Sequence, residues 1–192
     1  GVDVVINNAG VAQMGGIAET TMADWRWIVD INLLGVVAGC RTFVPLLRPP
    51  GGGRIVNIAS VAGLIHLPHA AAYNATKAAV VSLSETLQNE LHEEGIGVSV
   101  VCPSFFQTNL TESLRTNEPA FRATMSSLLA KSAITADDVA EDVFRAVKTK
   151  TFYVLSHREG RAAWTIKRLL PRNLYTSVIR KQTAGMRKAA GK

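Results

Sequence analysis

Residues 54–77 read RIVNIASVAGLIHLPHAAAYNATK, and the difference between the two halves of this stretch decides the fold. Residues 54–59 are apolar and β-branched without a clean alternation, the pattern of a strand buried in a parallel sheet. Ser60 then stands at the strand's carboxyl end, where open α/β sheets place their ligands. After a loop containing Pro68, residues 71–94 are rich in Ala, Leu, Glu and Gln and predict a helix. Tyr73 and Lys77 fall at i and i+4 on one face of it. A hydroxyl, a phenol and an amine are thus expected to converge on one substrate.

Toward the N-terminus the same punctuation repeats. Residues 2–7 (VDVVIN) read as a buried strand, followed by Asn7-Asn8-Ala9-Gly10, whose glycine permits a tight turn and close backbone approach. From Thr21 or Asp24 to about Leu47 runs a helical pattern with Trp25, Ile28, Val29, Leu33, Val36, Val37 and Phe43 on its apolar stripe. Asn32 lies inside it, and the residue alone reads as an exposed polar side chain. Pro49-Pro50 and Gly51-Gly52-Gly53 break the chain before the strand at Arg54.

Toward the C-terminus, Glu94-Gly95 stops the helix, and residues 97–102 form a third strand closed by Pro103. Residues 104–132 are polar and aromatic, with the length of a lid or binding loop carrying short helices. Thr135 with Asp138 predicts a capped helix whose buried stripe is Val139, Val143, Phe144 and Val147, and residues 151–155 a fourth strand. Strands alternating with helices indicate an α/β fold, part of a doubly wound parallel sheet with helices on both faces. Residues 161–170 and 174–181, separated by Pro171, mix apolar and basic residues at helical spacing, and the chain from Gln182 is expected to be disordered.

With 192 residues and 47% apolar composition, the chain is long enough to bury one core. Cys40 and Cys102 read as small core residues rather than a disulfide framework, which suits a reducing, cytoplasmic setting. No apolar run reads as a membrane span or signal peptide. The net charge of +6 is uneven: residues 157–192 carry ten basic residues against Glu159, whereas the remainder carries eleven against fourteen acids. A solvated extension is the commoner cause of such a tail. Peripheral membrane contact through it is left open, and no nucleic-acid partner is expected. His66 and His69 have no carboxylate or cysteine cluster beside them, so substrate contact is expected there rather than a metal.

A phenol with an ordinary pKa near ~10 is a poor base at neutral pH, and a cation beside it favours phenolate. Lys77 is placed to do that for Tyr73, while Ser60 can hold a carbonyl or alcohol oxygen beside the phenol. Such a set suits proton transfer to an oxygen whose carbon gains or loses hydride, and hydride requires a nicotinamide cofactor. As a bare pattern, Tyr-x-x-x-Lys is ordinarily a packing aromatic and a solvated charge.

Taken jointly, the motifs resemble the short-chain dehydrogenase/reductase family of NAD(P)-dependent oxidoreductases over about residues 1–156, leaving 157–192 as a basic helical extension. Asn7-Asn8-Ala9-Gly10 matches the family's NNAG, Asn32 its helix asparagine, Tyr73-Asn74-Ala75-Thr76-Lys77 its YxxxK, and Ser60 stands thirteen residues before Tyr73. The resemblance implies Tyr73 as general acid or base and Lys77 as the cation that lowers its pKa and binds the nicotinamide ribose. Ser60 would polarise the substrate oxygen, and Asn32 would hold a water linking Lys77 to solvent. Asn8, Ala9 and Gly10 would lie along NAD or NADP, with Asn7 tying adjacent strands. Pro103 and Thr108 resemble the family's Pro-Gly-x-x-x-Thr segment beside the nicotinamide, although Ser104 replaces the glycine.

Family members begin with a TGxxxGxG turn that this sequence does not contain, so these 192 residues are expected to bind dinucleotide poorly, show little activity and present an aggregation-prone sheet edge. Leu64, Ile65, Leu67, Phe105, Phe106 and Trp164 are candidates to line an apolar pocket, favouring a lipophilic alcohol or carbonyl. A homo-oligomer formed through the helix faces around 25–43 and 80–91 is expected, as in related enzymes. The rival readings are a non-catalytic dinucleotide-binding relative and a membrane- or anion-binding module built on the basic tail.

Overall fold

The computed structural model describes residues 1–47 and 51–184. Four parallel strands lie side by side in chain order: β1 (Val4–Asn7), β2 (Gly53–Ile58), β3 (Ile96–Val101) and β4 (Tyr153–Val154). Between β1 and β2 run α1 (Met22–Val29), a π turn (Asp30–Leu34) and α2 (Gly35–Leu47). The short α3 (Ala62–Ile65) and the long α4 (Ala71–Glu90) lead to β3, and α5 (Pro119–Ala130) and α6 (Ala136–Thr149) lead to β4. Helices α7 (Arg158–Leu169) and α8 (Arg172–Gln182) follow. This is the expected α/β class, with helices on both faces of a parallel sheet.

Register explains which strand residues are buried. Val5, Ile55 and Val98 share one row, and this face packs against Val36 and Cys40 of α2 and Val80 of α4. On the opposite face, Val56, Val101 and Val154 meet Val139, Val143 and Ala146 of α6. Strand β1 departs from the buried strand predicted by composition: Val4 is 39% and Ile6 51% exposed. Their face is the one served by α6, which packs over β2, β3 and β4.

The row Asn7–Asn57–Val100 inserts polar groups into the apolar face packed by α2 and α4. Asn7 Nδ2 donates to Asn57 Oδ1 at 2.8 Å, and Asn57 Nδ2 donates to Ser84 Oγ of α4 at 3.0 Å. Asn57 has no exposed surface, so truncating it strands two polar partners in the core. Asn57→Ala should destabilise the protein by about 2–4 kcal/mol in urea unfolding, where a surface-like change below about 0.5 kcal/mol would contradict this account.

The helix predicted over residues 21–47 is interrupted. Thr21 caps it as the sequence indicates, accepting from the Asp24 amide at 3.1 Å. At Gly35 the amide bonds back to the Asp30 carbonyl, five residues earlier, which widens the helix for one turn. Asn32, in that turn, is completely buried rather than exposed. Counted end to end, Met22–Leu47 is long and apolar enough to cross a membrane, contrary to the reading of the sequence. Here its inner face, with Ile28, Val36, Cys40 and Leu47, is buried, while Met22, Leu34 and Leu46 are exposed.

Helix α6 carries the predicted capping box, with Thr135 and Asp138 reciprocally bonded. Its stripe is Val139, Val143 and Ala146 with Val147 alongside; Phe144, expected in the stripe, is instead 53% exposed beneath Lys148. One residue step along the helix places Phe144 about 100° from Val143 and outside the sheet-facing arc. The basic helices dock on their own domain: Tyr175 Oη donates to the Ile65 carbonyl at 2.8 Å, and Lys167 Nζ to that of Leu64. The disorder expected from Gln182 does not begin there, since Gln182 closes α8 and Thr183 is buried; the rest of that expectation falls on residues 185–192, outside the described residues.

Candidate active site

The carboxyl ends of β1, β2 and β3 open into a cavity of about 410 Å³. Asn8, Ala9 and Gly10 form its wall after β1, Ser60 after β2, and Pro103, Ser104 and Thr108 after β3, while Tyr73 and Lys77 enter from α4. Every catalytic or cofactor-binding residue predicted from sequence except Asn32 therefore faces one space. The spacing works because α3 and its loop return the chain to the same sheet edge, starting α4 at Ala71. Gly63 permits that return: a Cβ there would lie 2.7 Å from the Lys77 backbone.

Ser60 is 8% exposed; its hydroxyl accepts from the Ala62 amide at 3.1 Å and donates to the Pro103 carbonyl over a longer 3.4 Å. Lys77 is buried, with Nζ donating to the Ile58 carbonyl at 2.9 Å and lying 5.8 Å from the Tyr73 ring centre. Burial draws its ammonium down to about 8, against a weak opposing pull from Cys102. It is thus mostly charged at neutral pH.

Tyr73 is half-buried and lines the cavity. Burial raises its pKa, and the Ser60 hydroxyl offsets this only in part. The Lys77 ammonium, expected to lower it, donates here to the Ile58 carbonyl and lies 5.8 Å from the ring centre.

Asn32 sits behind the cavity wall. Its Oδ1 accepts from the Val11 amide at 2.8 Å, its Nδ2 donates to the Val11 carbonyl at 2.9 Å, and a longer 3.4 Å contact reaches Thr76 Oγ1. The π turn thus uses a side-chain amide as a two-pronged clamp on the chain leaving β1, which sets Gly10 against Lys77. A Cβ on Gly10 would lie 3.4 Å from Lys77 Nζ and 3.5 Å from Asn32 Oδ1, narrowing the space in front of the ammonium.

The apolar walls differ in part from those expected. Leu67, Phe105 and Phe106 line the cavity, but Leu64 is buried in the main core, and Ile65 and Trp164, the latter on α7 itself, pack against that core. The remaining lining comes from Met14, Leu110, Met125 and Leu129, which join Phe121 in a separate apolar cluster. Phe121, Met125 and Leu129 recur every four residues, a helical signal that marks the lid helix α5 in the sequence. His66 and His69 do not line the cavity, contrary to the substrate contact expected of them. Both take left-handed backbone angles, φ 56° and 58°, and flank the turn at Leu67-Pro68. His66 Nδ1 lies 3.1 Å from the Ala62 carbonyl, and the His69 ring packs on Phe121 at 5.1 Å.

The family profile described as "short chain dehydrogenase" matches residues 1–119. Among curated proteins, the chain is 34% identical over 176 residues to a "CLA biosynthesis dehydrogenase/reductase" of Lactiplantibacillus plantarum, covering 82% of this chain and 62% of that protein. It is 37% identical over 113 residues to a "3-oxoacyl-[acyl-carrier-protein] reductase" of Synechocystis, covering 59% and 46%. A short chain dehydrogenase/reductase from Burkholderia phymatum, solved in complex with NAD, superposes with a TM-score of 0.81 at 34% identity, covering 87% of this chain and 65% of that one. The chain thus spans roughly half to two thirds of the length of these relatives. A nicotinamide dinucleotide is consistent with such kinship. With a profile match over more than half its length and the sheet, strand-end cavity and motif order already described, this chain belongs to the short-chain dehydrogenase/reductase family of oxidoreductases.

Proposed function

We propose that the full-length protein interconverts an alcohol and a carbonyl by hydride transfer with NAD or NADP, with Tyr73 as general acid/base. The observation that carries this reading is the placement of Ser60, Tyr73 and Lys77 on one buried cavity whose other wall is the strand-end segment Asn8, Ala9 and Gly10. When bound, the dinucleotide supplies the hydride donor or acceptor that no side chain provides. Gly10, Pro103 and Thr108 would hold its nicotinamide end, and Lys77 and Tyr73 would bind its ribose. Lys77 has three donors, and the Ile58 carbonyl takes one of them, leaving two for that purpose.

In the reducing direction Ser60 donates a hydrogen bond to the substrate carbonyl oxygen, giving up only its long bond to Pro103. Tyr73 transfers its phenolic proton to that oxygen as the carbon receives hydride, and the charged Lys77 stabilises the phenolate left behind. Oxidation runs the same steps backwards. Asn32 contributes by holding Val11 and, through it, the Gly10 wall. We also propose a two-fold assembly through the exposed apolar residues Met22, Leu34 and Leu46; Val80 and Leu91 face their own core and take no part in it.

Leu67, Phe105, Phe106, Met125 and Leu129 give the cavity apolar walls, which favour a lipophilic substrate. The likeness to a 3-oxoacyl-[acyl-carrier-protein] reductase points the same way. In a panel monitored by dinucleotide absorbance, lipophilic ketones and secondary alcohols should exceed sugars by at least about tenfold in kcat/KM, since each buried methylene is worth about 0.8 kcal/mol. A preference for sugars would overturn the substrate class, and the absence of dinucleotide turnover across the panel would overturn the reaction.

A further inference from the structure

We infer that His157 is a positioning residue for the cavity loop after β3, holding the Ser104–Phe105 peptide in place from the C-terminal extension. The kinetic part of this inference rests on the oxidoreductase reading; the structural part does not. His157 caps the first turn of α7 and is 7% exposed. Its Nδ1 lies 3.1 Å from the Ser104 amide nitrogen and its Nε2 2.9 Å from the Phe105 carbonyl oxygen. A backbone N–H can only donate and a carbonyl can only accept, so Nδ1 is the bare nitrogen and Nε2 carries the proton. Both polar atoms of one neutral tautomer are therefore committed to the same short stretch of backbone.

That stretch lies outside the sheet's hydrogen bonding. The Cys102 amide still pairs with Val154 at 2.8 Å, the Pro103 carbonyl accepts from the Val61 amide at 2.9 Å, and regular anchoring resumes where the Gln107 amide meets Ile134 at 3.3 Å. Between these points His157 binds the loop on both sides of the Ser104–Phe105 peptide bond. The base of α7 is itself held closely: a Cβ at Gly160 would lie 3.0 Å from Val61 Cγ2, beside Ser60. The imidazole is thus fixed against one wall of the cavity while it fixes another. Pro103, Ser104, Phe105 and Thr108 all face the cavity, so moving this loop displaces groups proposed to bind nicotinamide and substrate.

The test is hydrogen–deuterium exchange on the full-length protein and its His157→Ala and His157→Asn variants, paired with steady-state kinetics. In His157→Ala, exchange over residues 103–108 should accelerate about tenfold, as expected for losing one buried hydrogen bond, while protection in the middle of α4 is unchanged. Asn can place Oδ1 where Nδ1 stood and accept from the Ser104 amide, so His157→Asn should recover most of the protection. With a substrate in hand, His157→Ala should raise KM about tenfold with kcat within about twofold, the signature of lost binding geometry, and His157→Asn should reverse most of that rise. Unchanged exchange over 103–108, acceleration spread equally through α4, or an Asn variant no better than Ala would each overturn the inference. If the oxidoreductase reading is at fault, no variant turns over dinucleotide, yet the exchange pattern still separates Ala from Asn. Should His157→Ala fail to fold, His157→Gln, which reaches the Phe105 carbonyl but not the Ser104 amide, replaces it; Ser104 exchanging no faster in Gln than in Asn then counts against the inference.

Discussion

Tyr73→Phe in the full-length protein is expected to lower kcat by about 10²–10⁴-fold, the range general acid–base catalysis supplies, while leaving the melting temperature within a few degrees. The substitution removes one oxygen and keeps the ring that packs beside Ala12, Met14 and Phe121. The hydroxyl, by contrast, is the group beside Ser60 that is proposed to exchange the proton. Burial raises the phenol's pKa, which keeps it protonated but makes it a weaker acid, so in carbonyl reduction the charged Lys77 must stabilise the phenolate it leaves. In oxidation the same shift is a handicap that the charged Lys77 and the bound cofactor must offset. Full activity in the Phe variant would remove Tyr73 from the mechanism.

Lys77→Met should cost about 10²–10³-fold in kcat/KM, with weaker dinucleotide binding as part of that loss, without a matching loss of stability. The reason is that the ammonium is buried at a cost. Its folded-state pKa is drawn from 10.5 down to about 8, so below pH 8 the fold carries the full penalty of a charge held out of water. Between about 8 and 10.5 the unfolded chain binds more protons than the folded one, and wild-type stability rises with pH relative to the Met variant. Against this, the Met variant leaves the Ile58 carbonyl without its 2.9 Å donor. Chemical denaturation at pH 7 and pH 10 separates the two effects. A large stability loss at pH 7 would mean that Lys77 is retained for packing rather than for chemistry.

The sheet, the order of its elements and the convergence of Ser60, Tyr73 and Lys77 were legible because each rests on local chemistry: a β-branched run, a proline-containing loop and an i, i+4 spacing. What escaped was set by tertiary packing. Asn32 reads as an exposed polar residue, yet the π turn directs it inward to Val11, a contact 21 residues away that no periodicity encodes. Val4 and Ile6 look like core residues but lie on the edge strand, where α6 does not cover them. Leu64, Ile65 and Trp164 are as apolar as Leu67 and Phe105; only the position of α7 decides which of them face the core and which the cavity. His157 carried no motif at all, because its significance lies in a loop 53 residues away.

The most direct test of Tyr73 as the general acid/base is the pH dependence of kcat/KM for alcohol oxidation in wild-type and Tyr73→Phe protein. A base must be deprotonated to act, so the wild-type rate should rise with pH through one ionisation, and the residual rate of the Phe variant should lose that rise. The same ionisation persisting undiminished in Tyr73→Phe would contradict the account.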